Sequence, residues 1–413
     1  TTEIYTLSLH DALPILSVDV SPGTTIMQAA DSVGIHIPRL CYHPTLSTEG
    51  ACRICVVEVE GARNYLPACA TALTDGMKIR TNSPDIRLAR RDLVELLLDN
   101  HPKNCLTCER DGNCELQNLS YKLGVRERLF EGDRKEFEVE TSDASVVRDA
   151  EKCILCRACV RACAEIQGVH NLNQMHRGVH TVVQPAFGKE MKDSVCIKCG
   201  QCINVCPTAA FSEKNSTEQI WAALNDPEKF VIAQTAPAIR AAIGEGFGKE
   251  PGEPAMTGKT VAALRRLGFD AVFDTNFGAD LTIIEESYEF LQRLEKGENL
   301  PLITSCSPGW VKFLEHFFPE YIPNTSSCRS PMSMLSVLLK TYYADMKGLD
   351  PKDIYVVGVM PCTDKKYECE RPEHFSKDGY PYTDAVITTR ELIWMIKAYG
   401  INFTMLPDDD FDN

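Results

Sequence analysis

Fifteen of the 19 cysteines lie between Cys41 and Cys206, many of them in C-x2-C pairs. Thiolates two residues apart can turn toward one metal centre, so such pairs point to four-ligand sites. Cys41, Cys52, Cys55 and Cys69 are spaced C-x10-C-x2-C-x13-C, a set able to hold a [2Fe–2S] cluster or a zinc ion. His101, Cys105, Cys108 and Cys114 follow as H-x3-C-x2-C-x5-C. A lone histidine after a helix is usually a surface residue, but here three cysteines are one ligand short. One imidazole with three thiolates completes a cubane [4Fe–4S] site, and the neutral ligand raises its potential. A Cys3His zinc site is the alternative.

Cys153, Cys156, Cys159 and Cys163 form C-x2-C-x2-C-x3-C, and Cys196, Cys199, Cys202 and Cys206 repeat it, followed by Pro207. This spacing matches that of bacterial two-cluster ferredoxins, in which the fourth cysteine of each run ligates the other run's cluster. Cys153, Cys156, Cys159 and Cys206 would then hold one cubane, and Cys196, Cys199, Cys202 and Cys163 the other. Ala164 stands where the first run usually has proline. Two zinc knuckles are the weaker alternative. Fifteen cysteines with His101 make 16 ligands, enough for one [2Fe–2S] and three [4Fe–4S] clusters. Such a row moves single electrons between a docking site and something deeper in the chain.

The elements that must position these groups are legible in part. Thr24–Val33 reads as a short helix stopped by Gly34, Ala51–Glu60 as a strand, and Ile86–Asn100 as a helix with Ile86, Leu93, Leu96 and Leu97 on one face. Beyond Ser212 the composition changes. Phe230–Gln234, Ala271–Phe273, Leu302–Thr304, Ile354–Met360 and Ala385–Thr388 read as strands, with helices over Thr257–Leu267 and Ala279–Lys296. That alternation predicts an α/β layer with a mostly parallel sheet, whose ligands sit beyond the carboxyl ends of the strands. Two of those ends carry a cysteine, Cys306 in Thr304–Trp310 and Cys362 after Met360. On the long helix Glu286, Glu289 and Arg293 share one face.

Three segments resemble iron-only ([FeFe]) hydrogenases: NFGADLTIIEE (Asn276–Glu286), TSCSPGW (Thr304–Trp310) and MPCTDKKYE (Met360–Glu368). The family's motifs read TSCCPxW and MPCxxKxxE, and its larger members carry the same cluster modules in the same order. The resemblance implies a multidomain α+β and α/β chain. Its parts are a β-grasp [2Fe–2S] ferredoxin-like domain (1–80), a His-Cys [4Fe–4S] module (81–120), a two-cluster bacterial ferredoxin domain (143–215) and a partial α/β hydrogenase catalytic domain (220–413). It also implies an H-cluster, a [4Fe–4S] cubane joined to a di-iron unit. By motif, Cys362 corresponds to a cubane ligand, Lys365 to the lysine that hydrogen-bonds a cyanide, and Met360 lies beside the di-iron unit. Cys306 matches the cysteine that passes protons, and the implied route runs Cys306, Glu286, Ser326, Glu289, Arg293.

Two departures stand out. Ser307 occupies the position of the family's second motif cysteine, a cubane ligand. Either its oxygen ligates iron or Cys306 takes that role. A C-terminal motif resembling ExMACPGGCxxGGGQP is not found, so the expectation is a C-terminally truncated chain that cannot hold a complete H-cluster by itself. The opening Thr1–Ile15 resembles translated adapter sequence, or a first β-hairpin, and is given no function.

The resemblance implies ferredoxin or NAD(P)H-oxidising flavoprotein subunits as partners, together with H-cluster maturation proteins. A complex I-like NADH dehydrogenase or NAD-linked formate dehydrogenase subunit would share every cluster up to Cys206 but continue differently after residue 220. A non-catalytic hydrogen sensor is the third reading. The 413 residues suggest two to four domains. Lys+Arg 43 against Asp+Glu 58 leaves a net charge of -15, which argues against a nucleic-acid surface. No run approaches the ~18 apolar residues of a membrane span. Without an export signal, clustered C-x2-C runs indicate a reducing, cytoplasmic setting.

Overall fold

The computed structural model describes residues 16–127, 130 and 132–412, and the backbone of Thr2–Tyr5. The chain divides into two compact units. The first comprises residues 1–142, 147–194 and 201–212, and the second residues 143–146, 195–200 and 213–413.

The first unit opens with a five-stranded mixed sheet. Its strands are β1 (Thr2–Tyr5), β2 (Leu16–Val18), β3 (Val56–Val59), β4 (Leu66–Pro67) and β5 (Lys78–Arg80), in the order β2-β1-β5-β3-β4. β1 pairs antiparallel with β2 and parallel with β5. The opening segment is therefore hairpin-like over Thr2–Tyr5, while residues 1 and 6–15 lie outside the described residues. Helix α1 (Ile26–Ser32) starts at Thr25, whose hydroxyl and the Gln28 side chain form a reciprocal capping box. Its buried Ile26, Met27, Ala29 and Ala30 pack with Ile37, Val57, Ala68 and Ile79 around Cys55 and Cys69.

The strand expected over Ala51–Glu60 is shorter than its sequence pattern, because Ala51–Cys55 forms a turn with Arg53 at φ 59°. That turn aims thiols inward instead of continuing the ladder. Helix α2 (Pro84–Asp99) begins two residues before the expected Ile86, since Ser83 caps it and Pro84 suits the first turn. Its buried face is Ile86, Arg90 and Val94; of the other expected positions Leu93 and Leu97 pack half-buried against the core, and Leu96 is 51% exposed.

The second unit holds a four-stranded sheet of β6 (Phe230–Thr235), β7 (Ala271–Asp274), β8 (Ile354–Val359) and β9 (Ala385–Ile387). The order is β7-β6-β8-β9 and every pairing is parallel, as the alternation of strands and helices predicts. Ala233, Val272, Val357, Val359 and Ile387 form its buried floor. Helix α3 spans Thr257–Leu267, the expected range. Helix α4 runs Thr275–Lys296 and begins four residues before the expected Ala279, because Asp274 at the end of β7 caps it. Gly278 lets α4 touch helix α5 (Pro331–Leu338), since a Cβ there would lie 2.3 Å from the Pro331 carbonyl oxygen.

Leu302–Thr304 is not a strand of this sheet. It makes one isolated parallel bridge, Ile303 to Thr325. Pro301 removes a donor, and the segment is only partly buried, so nothing extends the ladder. The Cys306 loop is thus held by the Thr325–Ser326 segment and not by a sheet end, where the strand pattern would put it.

Candidate functional site

In the first unit the Cys41 loop, the Cys52–Cys55 turn and the end of β4 bring four thiols together. The Cys41 thiol lies close enough to those of Cys52 and Cys69, and the Cys55 thiol to that of Cys69, for each to shift the other's titration. These contacts draw the Cys41 thiol down and push Cys69 up. The Cys52 N–H also points at Cys41 Sγ, 3.5 Å away. All four are buried. Contiguous thiols with a main-chain N–H aimed at sulfur suit a thiolate-held iron–sulfur cluster.

The His101 set is partly assembled. Burial raises Cys114, and Cys105 and Cys108 lie close enough to raise it further. His101 is buried just past α2 and lines a basic cavity with Lys103, Arg134 and Lys135. Arg110 ties this region to the second ferredoxin run, donating to the carbonyls of Ile203 (2.9 Å) and Cys206 (3.2 Å).

Cys153, Cys156, Cys159 and Cys206 line one small cavity. Three come from one run and the fourth from the other, the crossed set expected from spacing. Burial pushes Cys156 up to about 12, and Cys206 and Cys153 reinforce the shift. The two runs also share their turn geometry. Leu155 (φ 55°) and Lys198 (φ 60°) sit two residues after the first cysteine, and each N–H points at that sulfur from 3.4 Å. Cys163 and Cys202 belong to the first unit, and Cys196 and Cys199 to the second. Arg161 joins two of the thiol groups: its guanidinium donates to the carbonyls of Cys41 (2.7 Å), Cys156 (3.4 Å) and Ser47. Among the described residues no group of three or more His, Cys, Asp or Glu side chains is set to hold a single metal ion.

In the second unit Lys365 connects the two motif loops. Its ammonium donates to the Cys306 carbonyl (2.9 Å) and to Glu368 (2.5 Å). Cys362 is partly buried, and Cys306 is exposed. Met360 is buried in the sheet core at the end of β8. Ser307 precedes helix α6 (Pro308–Phe317) and makes no capping bond with its side chain. Gly309 faces Asp364, whose Oδ2 would lie 2.9 Å from a Cβ. Asp364 is buried, its oxygens have no hydrogen-bond partner, and burial pushes its carboxyl up to about 7.

Part of the expected proton route is assembled. Ser326 donates to Glu289 (2.9 Å), Arg293 donates to Glu289 (2.6 Å), and Ser327 N–H lies 3.1 Å from it. Burial alone would raise the Glu289 carboxyl, but the Ser326 hydroxyl, the Ser327 N–H and Arg293 outweigh it and hold it low. Glu289 and Arg293 are largely covered, so they are not a solvated stripe. Glu286 differs: its Oε1 is buried without a hydrogen-bond partner, and no hydrogen bond joins it to Ser326. Cys328, assigned no role from sequence, donates its N–H to the Ser326 hydroxyl oxygen at 3.1 Å. Sequence reasoning also missed Lys198, Asp143 and Arg161. A lysine inside a C-x2-C turn was the one sequence signal available.

Thiol groups of this kind, in a chain that also carries a parallel α/β sheet with two linked cysteine loops, define an iron–sulfur oxidoreductase. The comparisons with known proteins narrow this further. Residues 17–84 match the 2Fe-2S iron-sulfur cluster binding domain. Residues 90–128 match the NADH-ubiquinone oxidoreductase-G iron-sulfur binding region, and 152–210 the 4Fe-4S dicluster domain. Residues 229–413 match the iron only hydrogenase large subunit, C-terminal domain. The NADP-reducing hydrogenase subunit HndD of Solidesulfovibrio fructosivorans is 49% identical over 407 residues, 96% of this chain and 69% of that one. Iron hydrogenase 1 of Clostridium pasteurianum is 42% identical over 396 residues, 94% of this chain and 68% of that one. The NADH-ubiquinone oxidoreductase 75 kDa subunit of Reclinomonas americana is 38% identical, but over 48% of this chain and 28% of its own length. The chain belongs to the iron-only hydrogenase family. The match over 229–413 sets aside the complex I and formate dehydrogenase readings.

Proposed function

We propose that this chain carries electrons along four iron–sulfur clusters to a hydrogenase site that interconverts 2H⁺ + 2e⁻ and H₂. The observation that carries this reading is the Lys365 link between the Cys306 and Cys362 loops, with the crossed cysteine cavity supplying the relay. The ligand sets are Cys41, Cys52, Cys55 and Cys69 for a [2Fe–2S] cluster, and His101, Cys105, Cys108 and Cys114 for a cubane. Cys153, Cys156, Cys159 and Cys206 hold a second cubane, and Cys196, Cys199, Cys202 and Cys163 a third. The mixed sheet with α1 across it favours a β-grasp fold for residues 1–80. The further segments 81–120, 143–215 and 220–413 then serve as the His-Cys, two-cluster and catalytic parts.

Cys362, with Ser307 or Cys306, contributes the ligands this chain offers to the H-cluster, which when bound supplies metal-centred reduction of protons. The chain's own residues do the rest. Lys365 holds the Cys306 loop by its carbonyl and is itself oriented by Glu368. Met360 fills the apolar wall. Arg293 keeps Glu289 charged, so its carboxylate can take a proton through Ser326. Cys306 and Glu286 continue the route toward the centre.

Likeness to an NADP-reducing hydrogenase subunit favours NADP(H)-oxidising flavoprotein subunits over ferredoxin as the electron source. H-cluster maturation proteins complete the partner set, and the location is cytoplasmic. Among the described residues no helix is long and apolar enough to cross a membrane. Hydrogen–deuterium exchange by the full-length gene product tests the reading. Exchange that disappears in Cys362→Ala is expected, and a product with all its clusters but no exchange overturns the enzyme in favour of a sensor.

A further inference from the structure

Lys198 lies inside the turn between Cys196 and Cys199, yet it is 3% exposed. Its ammonium pairs with Asp143, which is 0% exposed. Asp143 is locked in place by the N–H groups of Ser145 (2.8 Å) and Val146 (3.1 Å). The same ammonium sits 4.7 Å from the centre of the Tyr367 ring, whose other neighbours include Lys312 at 5.0 Å. The turn is also held by its backbone. Thr363, next to Cys362, donates its hydroxyl to the Lys198 carbonyl at 3.5 Å. Gly200 packs on the same hydroxyl so closely that a Cβ would lie 2.6 Å from it. All these residues belong to the second unit.

A buried ion pair is a costly thing to place in a metal-binding turn, because both charges lose their water. The equivalent turn of the first run shows that the backbone does not require it. Leu155 holds the same left-handed conformation and makes the same N–H to sulfur contact with an apolar side chain. The charge at Lys198 therefore calls for an electrostatic explanation. A cubane gains one negative charge on reduction. A fixed cation beside it favours the reduced form and a fixed anion the oxidised form, and the low dielectric of a buried site strengthens both effects.

We propose that Lys198 and Asp143 are positioning residues that set the reduction potential of the cubane that takes Cys196 and Cys199 as ligands, with Thr363 and Tyr367 fixing their turn against the Cys362 loop. Through them the chain controls how readily a single electron, gained and then released by that cubane, moves on toward the Cys362 site. The inference rests on the ligand assignment proposed above, and the test separates the two.

The experiment is an EPR-monitored redox titration of the full chain carrying its iron–sulfur clusters. The relevant cubane is identified as the signal lost in Cys199→Ala. Lys198→Leu places in this turn the side chain that the first turn already tolerates. It is expected to move that cubane to lower potential, Asp143→Asn to higher potential, and Lys198→Arg to leave it close to the unaltered protein. The other clusters keep their potentials. Should Lys198→Leu or Asp143→Asn lose the cluster, the remaining variant and Lys198→Arg still decide the sign. Unmoved potentials in variants that retain the cluster, or shifts of the same sign for Lys198→Leu and Asp143→Asn, overturn the tuning role. If Cys199→Ala removes no cubane signal, the ligand assignment fails instead.

Discussion

Arg161 offers the sharpest test of how the relay is held together. It is buried, and its terminal nitrogens donate to the carbonyls of Cys41 (2.7 Å) and Ser47. A third contact, to the Cys156 carbonyl at 3.4 Å, is near the limit of a hydrogen bond and adds little. The 3.9 Å approach to the partly exposed Glu49 adds little as well. Hydrogen bonds to a charged donor contribute about 1.5–3 kcal/mol each, so two of them amount to ~3–6 kcal/mol. Arg161→Met keeps the length and apolar stem of the side chain but leaves both carbonyls without their donor. A multidomain cluster protein does not unfold in two states, so the useful readout is local. That readout is the rate at which a chelator strips iron from the [2Fe–2S] site, followed by its visible absorbance. At ~1.4 kcal/mol per tenfold, Arg161→Met should speed the loss by ~10²–10⁴-fold. Arg161→Lys, with one donor group, should fall between. Arg157→Met is the control, because its bridge to Glu49 is exposed and worth at most ~1 kcal/mol. An Arg161→Met protein that releases iron no faster than Arg157→Met would refute the claim that one guanidinium holds both thiol groups.

Other outcomes follow from the second unit. Lys366 is buried and bonds Glu391, the Lys214 carbonyl and Ser216, so Lys366→Met, which leaves the Glu391 carboxylate buried without its cation, should weaken this region by ~3–5 kcal/mol and speed proteolytic nicking of the second unit. Glu289→Gln should cut hydrogen evolution ~10²–10⁴-fold while the EPR spectra of the clusters stay unchanged, and a normal rate would remove Glu289 from the relay. Burial, helped by Arg329, holds His374 below the ordinary imidazole value of 6.5 while Ser333 and Arg329 occupy its Nδ1. The unfolded chain therefore binds a proton that the folded chain refuses, so stability is lost as pH falls below ~6.5. His374→Gln should flatten that slope in thermal scans from pH 7.5 to 5.5.

Covalent spacing along the chain made the thiol groups legible, because a C-x2-C turn is a local geometry with little freedom. The crossed cavity of Cys153, Cys156, Cys159 and Cys206 follows from two such turns. Thr257–Leu267 was legible for a similar reason, an apolar helical period ended by Gly268 in a left-handed conformation. Other features depend on contacts that no local pattern records. Leu302–Thr304 has the composition of a strand, but no neighbour completes a ladder beside it. Leu93 and Leu97 pack against the core as their spacing suggests, but Leu96 is exposed and α2 instead turns Arg90 inward to reach the carbonyls of Val56 (2.8 Å) and Thr81 (2.9 Å). Glu286 carries the right spacing for a relay, but spacing places it only on the correct helix face and does not supply its partner.

The net charge of -15 also hid a feature of the site. Basic residues of this acidic chain are drawn inside next to the cysteines. Arg90 reaches the carbonyl of Val56 beside Cys55, Lys135 that of Cys153 (2.7 Å), Arg161 those of Cys41 and Cys156, and Lys365 that of Cys306. Among the described residues, Lys365 meets the Glu368 carboxylate closely, whereas Arg161 approaches Glu49 only to 3.9 Å. A main-chain carbonyl satisfies the donor but leaves the positive charge uncancelled, which is expensive in a buried place unless a negative charge is to be supplied. Clusters held by four thiolates supply it. A site built for a neutral or transient ligand would need carboxylate partners for these cations. Lys198 has such a partner in Asp143, which makes that turn the place where charge is balanced within the protein itself and where a single substitution should move a potential most cleanly.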